Sequence, residues 1–219
     1  MEFDAIREYL PLYAEAFKLT VTIGWIGIAL SLVIGIAGAF IMYFRIPVLC
    51  QITKAYVELF RNTPLLVQLF FIYFGLPKLG LSISSGTCGA IGLGLLGGSY
   101  MAESIRSGLF AVSESQKTGA ASLGFRRGGM FLYVILPQAV SISVPSVIAN
   151  VIFLLKETSV FSAISLMDLM FTAKDLIGLY YKTTECLTLL VAFYILMLLP
   201  VSILGSIVEK KVRFGMYGS

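Results

Sequence analysis

Histidine is absent from the 219 residues. That absence removes the side chain that most often serves as a general base or metal ligand near neutral pH. Charge is scarce too: Asp, Glu, Lys and Arg make up 13% of the chain, about half the ~25% of a soluble domain. Cysteine occurs three times, at Cys50, Cys88 and Cys186. An odd number at wide spacings fits neither a disulfide framework nor a metal pattern, so these read as small buried hydrophobes. No Gly-x-x-x-x-Gly-Lys-Ser/Thr loop occurs to cradle nucleotide phosphates. No Gly-x-Ser-x-Gly elbow occurs either. No Asp or Glu lies inside a long apolar window, and Glu103 and Glu157 stand at window ends, so paired embedded carboxylates for acid–base chemistry or proton relay are missing. An enzyme of the membrane interior would lack its usual groups.

What is present is apolar. Hydrophobic residues make up 58% of the chain, and the mean hydropathy is +0.92. Disorder, coiled coil and collagen are excluded, and the charges are too few to coat a soluble domain. The reading is an all-α integral membrane protein. Four charge-free windows, 19–44, 79–102, 128–155 and 186–208, each exceed the roughly 20 residues that cross ~30 Å of hydrocarbon. A fifth, 62–77, is shorter and spans only if its helix begins near Lys54. Pro64 predicts a break or kink there, and Glu58 and Arg61 are spaced to pair at i, i+3. The windows are continuously apolar rather than alternating, which favours helices over a barrel. Five spans are expected, near 19–44, 54–77, 84–106, 132–156 and 186–208, in one domain covering 1–219.

Ten Lys and Arg fall in 45–61, 106–127 and 209–219, and six fall in the other connections. The richer side is cytoplasmic by the positive-inside rule, so the N-terminus is expected outside and the C-terminus inside. The net charge of +4 is explained by this asymmetry and calls for no nucleic-acid partner. The opening MEFDAIREYL has no basic n-region, so no cleaved signal peptide is expected.

Gly86, Ala90, Gly94, Gly98 and Ala102 recur every fourth residue. This small-xxx-small face suits close helix packing, either within the chain or at a pore or subunit interface. Between the third and fourth windows, Ser113 or Ser115 is placed to cap a short helix running to Leu123, with Gly124 as its stop. Gln116, Lys117 and Ser122 are polar, and Arg126 and Arg127 follow. Such a segment, 113–127, is either a rigid knob for a partner's groove or an interfacial helix held at membrane lipid headgroups. Pro137 and Pro145 interrupt the fourth window as joints or static kinks. Lys156 and Glu157 end it, with Thr158 and Ser159 next. They are either an interfacial helix end or groups facing a cavity. Glu103 and Arg106, at i, i+3, read as a structural pair.

The run Ala120-x-Ser122-Leu123-Gly124, with Leu136-Pro137-Gln138-Ala139 beyond it, resembles the cytoplasmic signature of binding-protein-dependent ABC transporter permeases. The chain is similar, more narrowly, to the polar amino-acid permeases. The resemblance also runs through Tyr56-Val57-Glu58-Leu59-Phe60-Arg61-Asn62-Thr63-Pro64-Leu65-Leu66-Val67-Gln68, Ala102-Glu103-Ser104-Ile105-Arg106-Ser107-Gly108 and Leu154-Leu155-Lys156-Glu157-Thr158-Ser159. It covers about 19–209. One departure stands out: the family's Glu-Ala-Ala is Thr118-Gly119-Ala120 here, which loses a carboxylate and some helix propensity.

The resemblance implies a bacterial inner-membrane permease with no cofactor and no ATPase activity of its own. It further implies two ATP-binding cassette subunits, a second permease, identical or homologous, and an extracytoplasmic amino-acid-binding protein, for which 156–185 would be the outer docking segment. Gln116, Thr118, Ala120, Leu123, Gly124 and Arg126 would couple to the ATPase, and Glu157, Lys156, Thr158 and Ser159 would meet the substrate. The alternative is a stand-alone channel or secondary carrier for a small polar solute, although carriers tend to show internal repeats and none is evident.

Overall fold

The computed structural model describes residues 3–217, with side chains for 6–212. Met1, Glu2 and the side chains of Asp4 and Arg213, which the charge reading above includes, lie outside the described residues. Among the described residues the regular structure is entirely helical.

The first helix, α1 (Phe3–Tyr43), runs through the first apolar window. Its 41 residues reach about 60 Å at 1.5 Å per residue. After a turn in which Arg45 (φ 50°) and Val48 (φ 65°) adopt left-handed backbone, α2 (Leu49–Arg61) begins. The next helix, α3 (Leu65–Phe70), continues through a π turn at Phe71–Gly75 and a 3₁₀ turn at Leu76–Leu79.

The second span was expected over 54–77 with a break or kink at Pro64. The break is large: α2 and the Leu65–Leu79 stretch meet at 106°. Pro64 is the cap residue of α3, where a ring without an N–H cannot continue α2. Polar side chains take up the carbonyls freed by the break. The Gln68 amide donates to Phe60 O (3.0 Å) and Thr63 O (2.9 Å), and the Asn62 amide to Glu58 O (2.7 Å). The Glu58–Arg61 pair does not form. Glu58 accepts from the Asn62 amide at 3.2 Å, and the Arg61 guanidinium lies 5.3 Å from the centre of the Tyr100 ring.

At the centre of the bundle is α4 (Ser85–Ala111), capped by Ser84. The small-residue face packs inside the chain, against α1. A Cβ on Gly98 would lie 2.7 Å from both Ile34 Cγ2 and the Tyr56 hydroxyl, and one on Gly94 would lie 2.9 Å from Leu30 Cβ. With hydrogen there, the two backbones close to dispersion contact. Tyr56 then reaches across α4 and donates to Leu95 O at 2.5 Å. A second close crossing, α4 on α7, sits at Gly108, beside Ser143 and the Ala139 carbonyl.

The chain leaves α4 for α5 (Glu114–Ser122), then α6 (Arg127–Met130), a π turn at Phe131–Ile135 and α7 (Leu136–Glu157). The two π turns occupy related sequences, FIYFGLP and FLYVILP. In each, the proline has no N–H for the carbonyl four residues back, which falls inside the turn and favours a widened hydrogen-bonding pattern. Pro137 therefore acts at the base of α7 rather than as a break within it.

A 3₁₀ turn (Thr158–Ile164) leads to α8 (Leu169–Tyr180) and α9 (Thr183–Tyr217). The 156–185 segment was read as a polar outer connection. It holds a helix whose Leu169, Ala173 and Leu176 form a core with Tyr9, Tyr13 and Cys186. Tyr13 donates to Cys186 O at 2.7 Å and Thr20 accepts from Leu169 N at 3.1 Å, so α1 is tied to both α9 and α8.

By length and composition, three helical stretches are apolar enough to cross a membrane: Ile6–Tyr43, Arg127–Ile164 and Thr183–Val212. The bent α2–α3 pair makes a fourth if it counts as one span. The 27-residue α4 falls outside that set. Its glycines lower its hydropathy, and it is sheathed by α1, α2, α3 and α7.

Candidate functional site

Two regions of the fold carry the residues singled out above. The first is the α5 segment. Ser113 caps it, accepting from Gln116 N at 3.4 Å. At the other end Gly124 has φ +83°, a left-handed conformation that side chains adopt at a cost. Gly124 N donates to Ala121 O (3.0 Å) and Phe125 N to Ala120 O (3.2 Å), which is the Schellman stop. The helix is pinned at one point, where Ala120 turns into the body and is 5% exposed. Gln116, Thr118, Leu123, Gly124 and Arg126 all face outward. Leu123 is 80% exposed, a large apolar side chain projecting next to the glycine turn. Lys117 and Glu114 pair at 2.8 Å along the helix. Where the family carries a carboxylate, the exposed Thr118 only supplies its carbonyl to Ser122 Oγ at 3.1 Å.

The second region lies at the far end of α7. A cavity of about 590 Å³ opens between α7, the start of α8 and α9. Its polar lining comes from Lys156, Ser159, Tyr194 and Ser202, against an apolar wall that includes Ile152 and Leu198. Lys156 and Ser159, three residues apart, share this face. Glu157 is rotated about 100° away on the helix and is half-buried outside the cavity. Thr158 is fully buried. Its hydroxyl donates to Leu155 O at 2.7 Å, so that proton is already used. The four residues expected to act together are thus split.

Three groups that the sequence reading missed belong to this end or to the helix above it. The Tyr194 hydroxyl is buried and makes no hydrogen bond. Asp168 is fully buried. Its Oδ1 caps α8 by accepting from Phe171 N at 3.0 Å, while Oδ2 has no partner. Burial pushes this carboxyl up to about 6, against the lowering effect of three backbone amides and Lys174. Asn150, in the 128–155 window, donates to Ser104 Oγ at 2.9 Å and links α7 to α4. An amide in a charge-free window was the available signal for it, although Gln138 shares that window and bonds locally, to Val134 O. The Glu103–Arg106 pair is bidentate, at 2.5 and 3.0 Å, as its spacing implied.

This helical arrangement has close counterparts. The probable glutamine ABC transporter permease protein GlnM of Bacillus subtilis (strain 168) is 32% identical over 97% of this chain and 99% of its own length. The arginine transport system permease protein ArtQ of the same organism is 30% identical over 97% and 98%. A crystal structure of an amino acid ABC transporter with histidines superposes with a TM-score of 0.90 at 31% identity, over 96% of this chain and 99% of that one. A family described as "Binding-protein-dependent transport system inner membrane component" matches residues 27–214. With its glycine-packed α1–α4 core and its projecting α5 turn, the chain belongs to that family of inner-membrane permease components.

Proposed function

We propose that the chain is the pore-forming subunit of an ATP-binding cassette importer for a polar amino acid. The observation that carries this reading is α5: a capped and stopped helix, fixed to a membrane-type bundle at Ala120 and otherwise projecting from it. A helix held this way transmits a push. One end continues α4 after two residues, and the other leads through α6 and the π turn into α7. Both helices pack on each other at Gly108 and through Asn150 and Ser104.

In this reading five spans cross the membrane: α1, the α2–α3 pair, α4, α7 and α9. The N-terminus is outside, and α5 faces the cytoplasm as the coupling helix. Two ATPase subunits bind below, with a second permease beside this one and an amino-acid-binding protein above. Gln116, Thr118, Leu123, Gly124 and Arg126 present the contact surface, and Ala120 positions it. ATPase closure shifts α5 and re-weights two arrangements of α4 and α7, one open to each side. Lys156, with Ser159 beside it, offers a positive charge to the carboxylate of an amino acid from the wall of the α7–α9 cavity, and Glu157 presents its carboxylate on another face of the helix. Thr158 braces the turn that sets them.

The test is uptake into proteoliposomes. Chain reconstituted with its ATPase and binding protein accumulates labelled amino acid only when ATP is supplied on the ATPase side. Equal accumulation by the chain alone, without ATP, would identify a stand-alone channel or carrier.

A further inference from the structure

A cavity of about 500 Å³ lies where the end of α1, the start of α2 and the last turns of α4 meet. Arg45, Lys54 and Arg106 line it, and no carboxylate does. Arg106 spends its Nε and Nη2 on Glu103, which leaves the Nη1 edge of its five-donor fork available. Among the described residues Arg45 and Lys54 make no ion pair, so the pocket holds uncompensated positive charge. The backbone amides at the start of α2 contribute nothing further. Cys50 N, Gln51 N and Ile52 N already donate to Ile46 O, Val48 O and Val48 O.

The rim of the cavity includes apolar side chains: Val48 and Phe110, which line it, are 68% and 45% exposed. Leu49 and Ile52, beside them on α2, are 47% and 59% exposed. In the five-span reading the start of α2 is the cytoplasmic end of the α2–α3 span. A helix end that is cationic on one side, at Lys54, and apolar on another, at Leu49 and Ile52, sits at the level of headgroups and upper acyl chains.

We propose that this pocket binds the phosphate of an anionic phospholipid. Arg45, Lys54 and the free edge of Arg106 engage the phosphate, and the acyl chains cover Val48 and Phe110 and run on over Leu49 and Ile52. Three cations around one cavity supply the charge complement, and the exposed apolar rim distinguishes a lipid from a soluble phosphate. The bound lipid also fills the space between α2 and the end of α4, next to the start of α5.

The test uses the full chain in nonionic detergent and counts bound lipid by native mass spectrometry. Phosphatidylglycerol is expected to bind at least about tenfold more tightly than phosphatidylcholine, given the roughly fivefold contributed by each cation at an anionic headgroup. Arg45→Gln with Lys54→Gln should abolish that preference. The charge-keeping pair Arg45→Lys and Lys54→Arg should retain it, as should the remote control Lys210→Gln with Lys211→Gln. Millimolar inorganic phosphate should leave the lipid in place. Equal binding of the two lipids would overturn the proposal, as would an unaltered preference in the Gln pair or an equal loss in the remote control. Displacement by inorganic phosphate would assign the pocket to a soluble anion instead.

Discussion

Replacing Gly108 with alanine isolates the crossing that joins the two helices on either side of α5. A methyl group there would sit 2.7 Å from the Ala139 carbonyl oxygen and closer still to Ser143 Oγ. Ser143 is 5% exposed, and its hydroxyl is engaged with that same carbonyl at 2.7 Å, so neither neighbour yields cheaply. Overpacking of this kind costs about 1–3 kcal/mol. The helix-propensity gain of alanine over glycine returns up to ~1 kcal/mol. The expected net loss is about 1–2 kcal/mol, which at about 2–4 °C per kcal/mol for a chain of this size lowers the melting temperature by roughly 2–8 °C. Thermal unfolding in detergent, followed by tryptophan fluorescence or helical dichroism, reads this directly. Gly119→Ala is the matched control. Nothing lies within 4 Å of a Cβ built there, so the same chemical change should leave the melting point level or slightly raised. Adding Ser143→Ala to Gly108→Ala should restore only part of the loss, because the Ala139 carbonyl stays where it is. A Gly108→Ala protein that melts at or above the parent temperature would refute the close α4–α7 contact.

The remaining predictions concern Asp168. Its carboxyl titrates near 6 in the fold, against an ordinary value of 3.8. The folded chain therefore holds a proton that the unfolded chain has released. Stability is full below about 4, falls as pH rises toward 6 and is level above that. The carboxyl contributes a loss of about 2–3 kcal/mol across that window, at about 1.4 kcal/mol per unit. Asp168→Asn keeps the cap on Phe171 N and removes the buried charge. It should therefore flatten the profile between pH 4 and 6 relative to the parent and melt higher at pH 7. Parallel profiles for the two proteins would show that the carboxyl is not buried as described.

Local chemistry was readable from the sequence wherever it is settled by neighbours along the chain. Ser113, Gly124 and Pro64 each act on the chain within a few residues of themselves, so a cap, a stop and a break could be placed before any packing was known. The size of the break was not readable. The 106° angle depends on Gln68 and Asn62 closing the freed carbonyls and on α4 lying alongside. The small-residue face of α4 was visible, but its partner was not. The choice between α1 and another subunit rests on contacts tens of residues apart in sequence. The short α8 escaped notice because Lys174 and Asp175 interrupt its apolar run. Its inward residues Leu169, Ala173 and Leu176 are nonetheless spaced for one helical face. In the candidate site, adjacency in sequence misled. Lys156 and Glu157 are neighbours in the chain, yet a helix turns them about 100° apart, while Ser159 returns to the Lys156 face and Tyr194 joins it from α9.

The central claim is that this chain is a gate moved by another protein's ATP hydrolysis through the lever that ends at Gly124. The most direct measurement is uptake per ATP hydrolysed in proteoliposomes of the assembled transporter, comparing the parent with Gly124→Leu. Leucine at a backbone angle of φ +83° distorts the turn without touching the wall of the α7–α9 cavity. The account predicts that hydrolysis continues while uptake collapses. Uptake per ATP equal to the parent's, from a Gly124→Leu protein that assembles normally, would contradict it.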